Sequence, residues 1–190
     1  MRKDIFPQVT EDQLWLRKQR KGFTTIPRAL SLVMAIINRM SKGKPVSATY
    51  LELWGRVFDE GFILLKPREM TFHSGFRGER AEQTWSGRMR ILEKLGLIRT
   101  APGPEGDLSY AVMFNPYKVI KHHFDKRTPG LEARDYYGLL SRLSEIGATD
   151  LKKPEPNEQA AGPKIVELAK VRKSVPPSPT IRRRSAKRQA

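Results

Sequence analysis

Apolar residues recur at helical spacing in five places along this chain, and turn-forming residues fill most of the gaps. Pro27, which a first helical turn tolerates, precedes Leu30, Val33, Ile36, Ile37 and Met40 at three- and four-residue intervals, and Lys42-Gly43-Lys44-Pro45 stops the run. Ser47 starts a second helix in which Tyr50, Leu51, Trp54, Val57 and Phe58 are the expected core. In the third helix Ala81, Trp85, Met89, Leu92 and Leu95 fall on one side and Arg80, Gln83, Gly87 and Arg90 on the other, so the first set can bury and the second can reach a partner. Gly96 ends this helix, Leu97 to Arg99 continue as a strand, the turn Ala101 to Asp107 reverses the chain, and Leu108 to Phe114 return before Asn115-Pro116. Tyr117, Ile120 and Phe124 then mark a fourth helix, broken at Thr128-Pro129-Gly130. Tyr136, Leu139, Leu140, Leu143 and Ile146 mark a fifth, ended by Gly147. Its stripe either pairs with a second subunit, which is the expectation here, or folds back onto its own domain.

Between the second and third helices lies a long connector, Asp59 to Phe76. Phe62 to Leu65 suit a strand or a short helical turn, Lys66-Pro67 breaks the segment, and Met70 to Phe72 suit a second extended piece. Arg68, His73, Arg77 and Arg80 lie in or beside the connector, where phosphate contact is plausible. Ahead of the first core helix, residues 1–10 show no periodicity and are expected to be a flexible leader. Thr10-Glu-Asp-Gln13 has the pattern of a capping box opening a short helix, which Leu14 and Trp15 would dock. Arg17, Lys18, Arg20 and Lys21 follow as a basic cluster, either a solvated face or an arm on phosphates or in a minor groove.

The helix and hairpin between Gly78 and Asn115 resemble the second half of a winged helix-turn-helix domain, over roughly Thr24 to Asn115. The run Thr84 to Ile98, with a hairpin closed by Asn115-Pro116, is similar to replication-associated or accessory winged-helix proteins of bacterial plasmids and phages. The fold class expected is α/β, mainly α: a winged helix-turn-helix domain with a C-terminal helical extension and a disordered basic tail. The divisions are a basic arm with a short helix (1–23), the winged-helix domain (24–115), a helical extension with possible dimerisation (116–150) and the tail (151–190).

Charge changes this picture more than composition does. The chain of 190 residues has a formal charge of +16, which must be solvated or neutralised by something acidic. Residues 1–44 hold ten Lys/Arg against three Asp/Glu and residues 152–190 hold eleven against three, whereas residues 45–151 hold fifteen against fourteen. The presumptive fold is nearly neutral, and its two ends carry the field. From Lys152 onward Pro, Ala, Lys, Ser and Arg dominate, with Pro176-Pro177-Ser178-Pro179 and a last basic cluster at Arg182, Arg183 and Arg184. Too few apolar residues remain there to offset ordering entropy, so the tail is expected to be disordered in isolation.

Zero cysteines exclude disulfides, thiolate nucleophiles and zinc fingers, and agree with a reducing cytosol. No run of about 18 apolar residues offers a membrane span, and charges occupy the first residues where a signal peptide is apolar, so a cytoplasmic bacterial protein is expected. His73, His122 and His123 lack the spacing of a zinc site. Asp59, Glu60, Glu69, Asp125 and Asp135 show no spacing that singles out a nuclease centre, and neither a phosphate-binding Gly loop nor a nucleophile elbow is present. No catalytic residue, metal or cofactor is expected.

Binding has the clearer physical account. Phosphate neutralisation by arm, connector and tail supplies affinity that is steeply salt-dependent. Gln83 suits adenine, Arg90 or Arg80 suits guanine, and Ser86 and Gly87 let the helix approach bases closely. Arg77 belongs to the phosphate-facing connector and Arg99 to the wing, although Glu105 and Asp107 argue against deep wing insertion. RNA stays open as a polyanion, without the aromatic signatures of single-strand readers. The function expected is sequence-preferring double-stranded DNA binding as a regulator or a replication or partition accessory. The alternative is a module that docks a protein and holds nucleic acid through its tail.

Overall fold

The structure is a computed structural model and describes residues 2–8, 10, 11, 13–15, 17, 21–58 and 60–151. Within them the chain is mixed α/β and mainly helical: α1 (Arg2–Ile5), α2 (Leu30–Met40), α3 (Ser47–Arg56), β1 (Phe62–Leu64), α4 (Pro67–His73), α5 (Ala81–Lys94), β2 (Ile98–Gly103), β3 (Gly106–Met113), α6 (Pro116–Asp125) and α7 (Ala133–Glu145). The strands form one antiparallel sheet in the order β1-β3-β2. Phe62 lies opposite Val112 and Leu64 opposite Tyr110 on one side of β3, while Arg99 lies opposite Val112 and Ala101 opposite Tyr110 on the other.

The periodic apolar residues of α2 are all buried, as their spacing predicts. They join Tyr50, Leu53, Met70, Trp85, Met89, Leu92, Ile98 and Ala111 in one core, to which α6 adds Tyr117 and Ile120. No side chain of α3's own caps its N-terminus. Asn38 of α2 does so instead: its Oδ1 accepts from the N–H groups of Val46 (2.8 Å) and Ser47 (3.0 Å), and its Nδ2 donates to Ser47 Oγ (2.9 Å). This satisfies donors that every helix leaves open at its start.

Four expectations need correction. The capping-box bond forms, with Thr10 N–H donating to Gln13 Oε1 (3.0 Å), yet Gln13 lies in a turn, Leu14 in a bend and Trp15 in irregular backbone, where it stands exposed. One local bond does not offset helix nucleation when no apolar face docks; the helix near this end is instead α1, inside the expected leader. The connector carries β1, where Phe62 to Leu65 suit a strand, and then α4 in place of a second extended piece. Pro67, read as a break, is the first residue of a helix, which Met70 and Thr71 bury in place of an extended piece. In α3, Leu53 is buried while Leu51, two residues away on the opposite side of the helix, is exposed, and Phe58 is 84% exposed because the helix stops at Arg56 and Val57 turns extended. The wing turn is shorter than seven residues: β2 runs to Gly103 and only Pro104-Glu105 separates it from β3. Pro102 is accommodated in a register shift between Ala101 and Gly103 on an edge strand, where its missing N–H breaks no ladder bond.

The apolar stripe of α7 is used within its own chain. Tyr136, Leu139 and Leu143 are buried, α7 packs on α2 and α6, and the Tyr136 ring stacks on Phe124 with centroids 4.0 Å apart. Asp135 of α7 also forms an ion pair with Arg39 of α2.

Candidate nucleic-acid interface

The candidate site is the open side of α5, set by how the helix is held. Trp85, Met89 and Leu92 have no exposed surface. At the C-terminal end Gly96 adopts φ +72°, so Gly96 N–H reaches Glu93 O (2.9 Å) and Leu97 N–H reaches Leu92 O (3.0 Å). That left-handed closure is the reason for glycine there, and it carries the chain directly into β2. Glu93 ties the helix to the hairpin, its Oε1 accepting from both the N–H and the hydroxyl of Thr100 at 3.0 Å. From α6, His123 Nε2–H donates to Leu95 O (2.9 Å) while Nδ1 accepts from the Thr128 hydroxyl (2.9 Å). Its own left-handed closure and bonds from two further elements, β2 and α6, thus fix the end of α5.

On the opposite side Gln83, Gly87, Arg90 and Lys94 form one stripe, spaced by three and four residues. Gln83, Arg90 and Lys94 are exposed, Ser86 and Gly87 half-buried, and Arg80 exposed at the helix entrance, where its carbonyl accepts from the Thr84 hydroxyl (2.9 Å). A side chain at Gly87 would meet nothing within 4 Å, so no intramolecular packing requires glycine at that helical position. Lys94 completes the stripe and was missed in the sequence, although it lies four residues beyond Arg90.

Other expected contacts are placed differently. Arg77 is engaged with α4: its Nη1 donates to Phe72 O (2.7 Å) and Phe76 O (3.0 Å), and its guanidinium lies 3.9 Å above the Phe72 ring. It closes the end of α4 and positions the turn leading to α5. Arg99 does not join the stripe, because Thr100 faces α5 and its neighbour in a strand faces the other way. Arg99 shares the outer sheet face with Phe62 and Val112. The hairpin tip is exposed and acidic at Glu105 and Asp107. In the arm, Arg17 lies over the Phe23 ring (5.3 Å) and Lys21 is exposed. Lys18, Arg20, Arg182, Arg183 and Arg184 lie outside the described residues, as does the tail as a whole.

The groups considered for enzymatic chemistry are dispersed. Arg56 donates to Glu52 (2.5 Å) and Glu69 (2.8 Å), and its Nη2 also lies 2.9 Å from His73 Nδ1. The Arg56 guanidinium holds the Glu69 carboxyl below its usual range. Asp125 pairs with Lys121 (2.6 Å) and Asp135 with Arg39. Among the described residues no three His, Asp or Glu side chains gather as a metal site, and no helix is long and apolar enough to cross a membrane. Comparison with protein-family models, curated proteins and solved structures gives no match, so the site's own geometry carries the functional reading.

Proposed function

We propose that this chain binds double-stranded DNA with sequence preference, through a winged helix in which α5 enters the major groove. The observation that carries this reading is the stripe Gln83, Gly87, Arg90 and Lys94, presented opposite a face that is wholly buried. The order α3, β1, α4, α5, β2, β3, with β3 at the centre of the sheet, is compatible with a winged-helix layout, and it makes α4 and α5 the helix pair. In this arrangement Gln83 pairs with adenine and Arg90 with guanine, each through a two-pronged contact, and the bare backbone at Gly87 admits base edges. Arg80 and Lys94 flank the groove as phosphate ligands. The basic ends add affinity without sequence information, and the acidic hairpin tip stays off the phosphates. The resemblance to plasmid and phage proteins supports a cytoplasmic role as a regulator, or as a replication or partition accessory, of a bacterial mobile element.

The test is selection of bound duplexes from a random pool at about 150 mM salt, where nonspecific phosphate binding is weakened. One enriched motif is expected, and Arg90→Ala should cost about 1–3 kcal/mol on that motif while leaving random-sequence binding nearly unchanged. Retention without enrichment would overturn sequence reading. It would favour the second reading, a protein-docking module, for which the exposed apolar Phe58, Phe62 and Leu64 beside β1 speak.

A further inference from the structure

Both edges of the sheet end in solvent, yet they are built from different residues. The β2 edge carries Pro102 inside a register shift and leads into Pro104 and the acidic tip. Proline, irregularity and charge are what keep a sheet edge from pairing. The β1 edge, Phe62-Ile63-Leu64, has none of these. Met113 N–H donates to Gly61 O and Leu65 N–H to Ser109 O, both at 2.8 Å, so Gly61, Ile63 and Leu65 direct their peptide groups toward β3. Phe62 and Leu64 therefore direct theirs outward. Along this edge runs a groove of about 710 Å³, bounded by the end of α3, Phe58, Glu60 and β1. Phe58, Leu64 and Phe62 are 84, 63 and 45% exposed.

We propose that β1 pairs antiparallel with β1 of a second copy of this chain, centred on Ile63, joining the two three-stranded sheets into one. The register follows from the outward peptide groups. Centring on Ile63 sets Phe62 opposite Leu64 of the other copy and Leu64 opposite Phe62, two pairs that each exchange both backbone hydrogen bonds. Glu60 and Lys66 stand three residues to either side of Ile63, so the same register brings Glu60 opposite Lys66 at both ends. Glu60 makes no ion pair among the described residues. Lys66 is held only at 3.7 Å by Glu69, whose other partner, Arg56, is at 2.8 Å. This charge symmetry about one residue is what a two-fold contact uses and an unrelated peptide has no need of. The contact is independent of DNA binding and is tested without nucleic acid.

Sedimentation equilibrium of the full chain, freed of nucleic acid, should show a monomer–dimer equilibrium. Glu60→Lys alone and Lys66→Glu alone each set like charges opposite one another at both ends, and each should weaken self-association about tenfold. An equimolar mixture of the two variants should recover it as a heterodimer, since every Lys then meets a Glu. Leu64→Lys, at an exposed position, should abolish association and leave the thermal melt unchanged at concentrations where the parent chain is itself monomeric. A chain monomeric at all accessible concentrations overturns the proposal and assigns the edge to a strand from another protein. A dimer indifferent to both charge reversals and to Leu64→Lys overturns it too, because the copies would then meet elsewhere.

Discussion

Along the fourteen residues of α5, Trp85, Met89 and Leu92 lose all contact with solvent while Gln83, Arg90 and Lys94 keep theirs. The buried side packs against α3, α4 and β2; among the described residues nothing covers the open side, and it includes a glycine whose added Cβ would meet no atom within 4 Å. The comparison separates residues selected by the fold from residues whose identity the fold leaves free. A contact surface is to be sought among the second kind.

The comparison breaks most sharply at Trp85. Trp85→Ala should lower unfolding free energy by about 3–5 kcal/mol in urea denaturation, as large-to-small changes in a closed core do. A loss below about 1 kcal/mol, within the range of a surface change, would mean that the two sides are not distinct. Glu93 sits on the border between them. Glu93→Ala leaves the part-buried Thr100 N–H without its acceptor, and a loss of about 1–3 kcal/mol is expected, with weakened hydrogen-exchange protection at that amide. Gly87→Ala should act in opposite senses on the two quantities. It should raise thermal stability by about 0.5–1 kcal/mol, since glycine is costly inside a helix, and reduce affinity for the selected duplex by interposing a methyl group. Stability and affinity moving together would remove the argument from Gly87.

The smallest effect lies at Glu69, on the exposed side of α4. Arg56 holds the Glu69 carboxyl below its ordinary value, so the folded state favours the carboxylate. The sign follows: this contribution is fully present above the unfolded carboxyl value and is lost as pH falls through the lower folded one. Glu69→Gln should lower the melting temperature slightly near neutrality and flatten its fall below about pH 4.5, so that the two proteins converge in acid. Equal acid sensitivity in both proteins would place the titration elsewhere.

Much of α5 is legible in the sequence because a helix face depends only on residues three and four apart. Trp85, Met89, Leu92, Gln83 and Arg90 sit where that spacing sets them, and Gly96 takes the left-handed conformation its position implies. The same locality explains the failures. For Phe62 to Leu65 the local pattern leaves a strand and a helical turn both open, and only pairing with β3, far along the chain, selects the strand. Within Lys66-Pro67, a helix start and a helix stop look alike until Met70 and Thr71 are seen to bury. Which side of β2 faces α5 is decided by Glu93 reaching Thr100, and no local pattern reports that bond. The α7 stripe announces a need for burial but does not say that α2 and α6 meet it.

The amide groups of Val46 and Ser47 are satisfied by a side chain that belongs to another helix, Asn38 of α2. Their protection from solvent therefore reports the docking of α2 rather than the local fraying of α3. In a hydrogen-exchange experiment the two amides at the start of α3, ordinarily among the first to exchange at a helix end, should exchange only through the larger opening that parts α2 from α3. A single asparagine thereby makes the beginning of one helix share the lifetime of its neighbour.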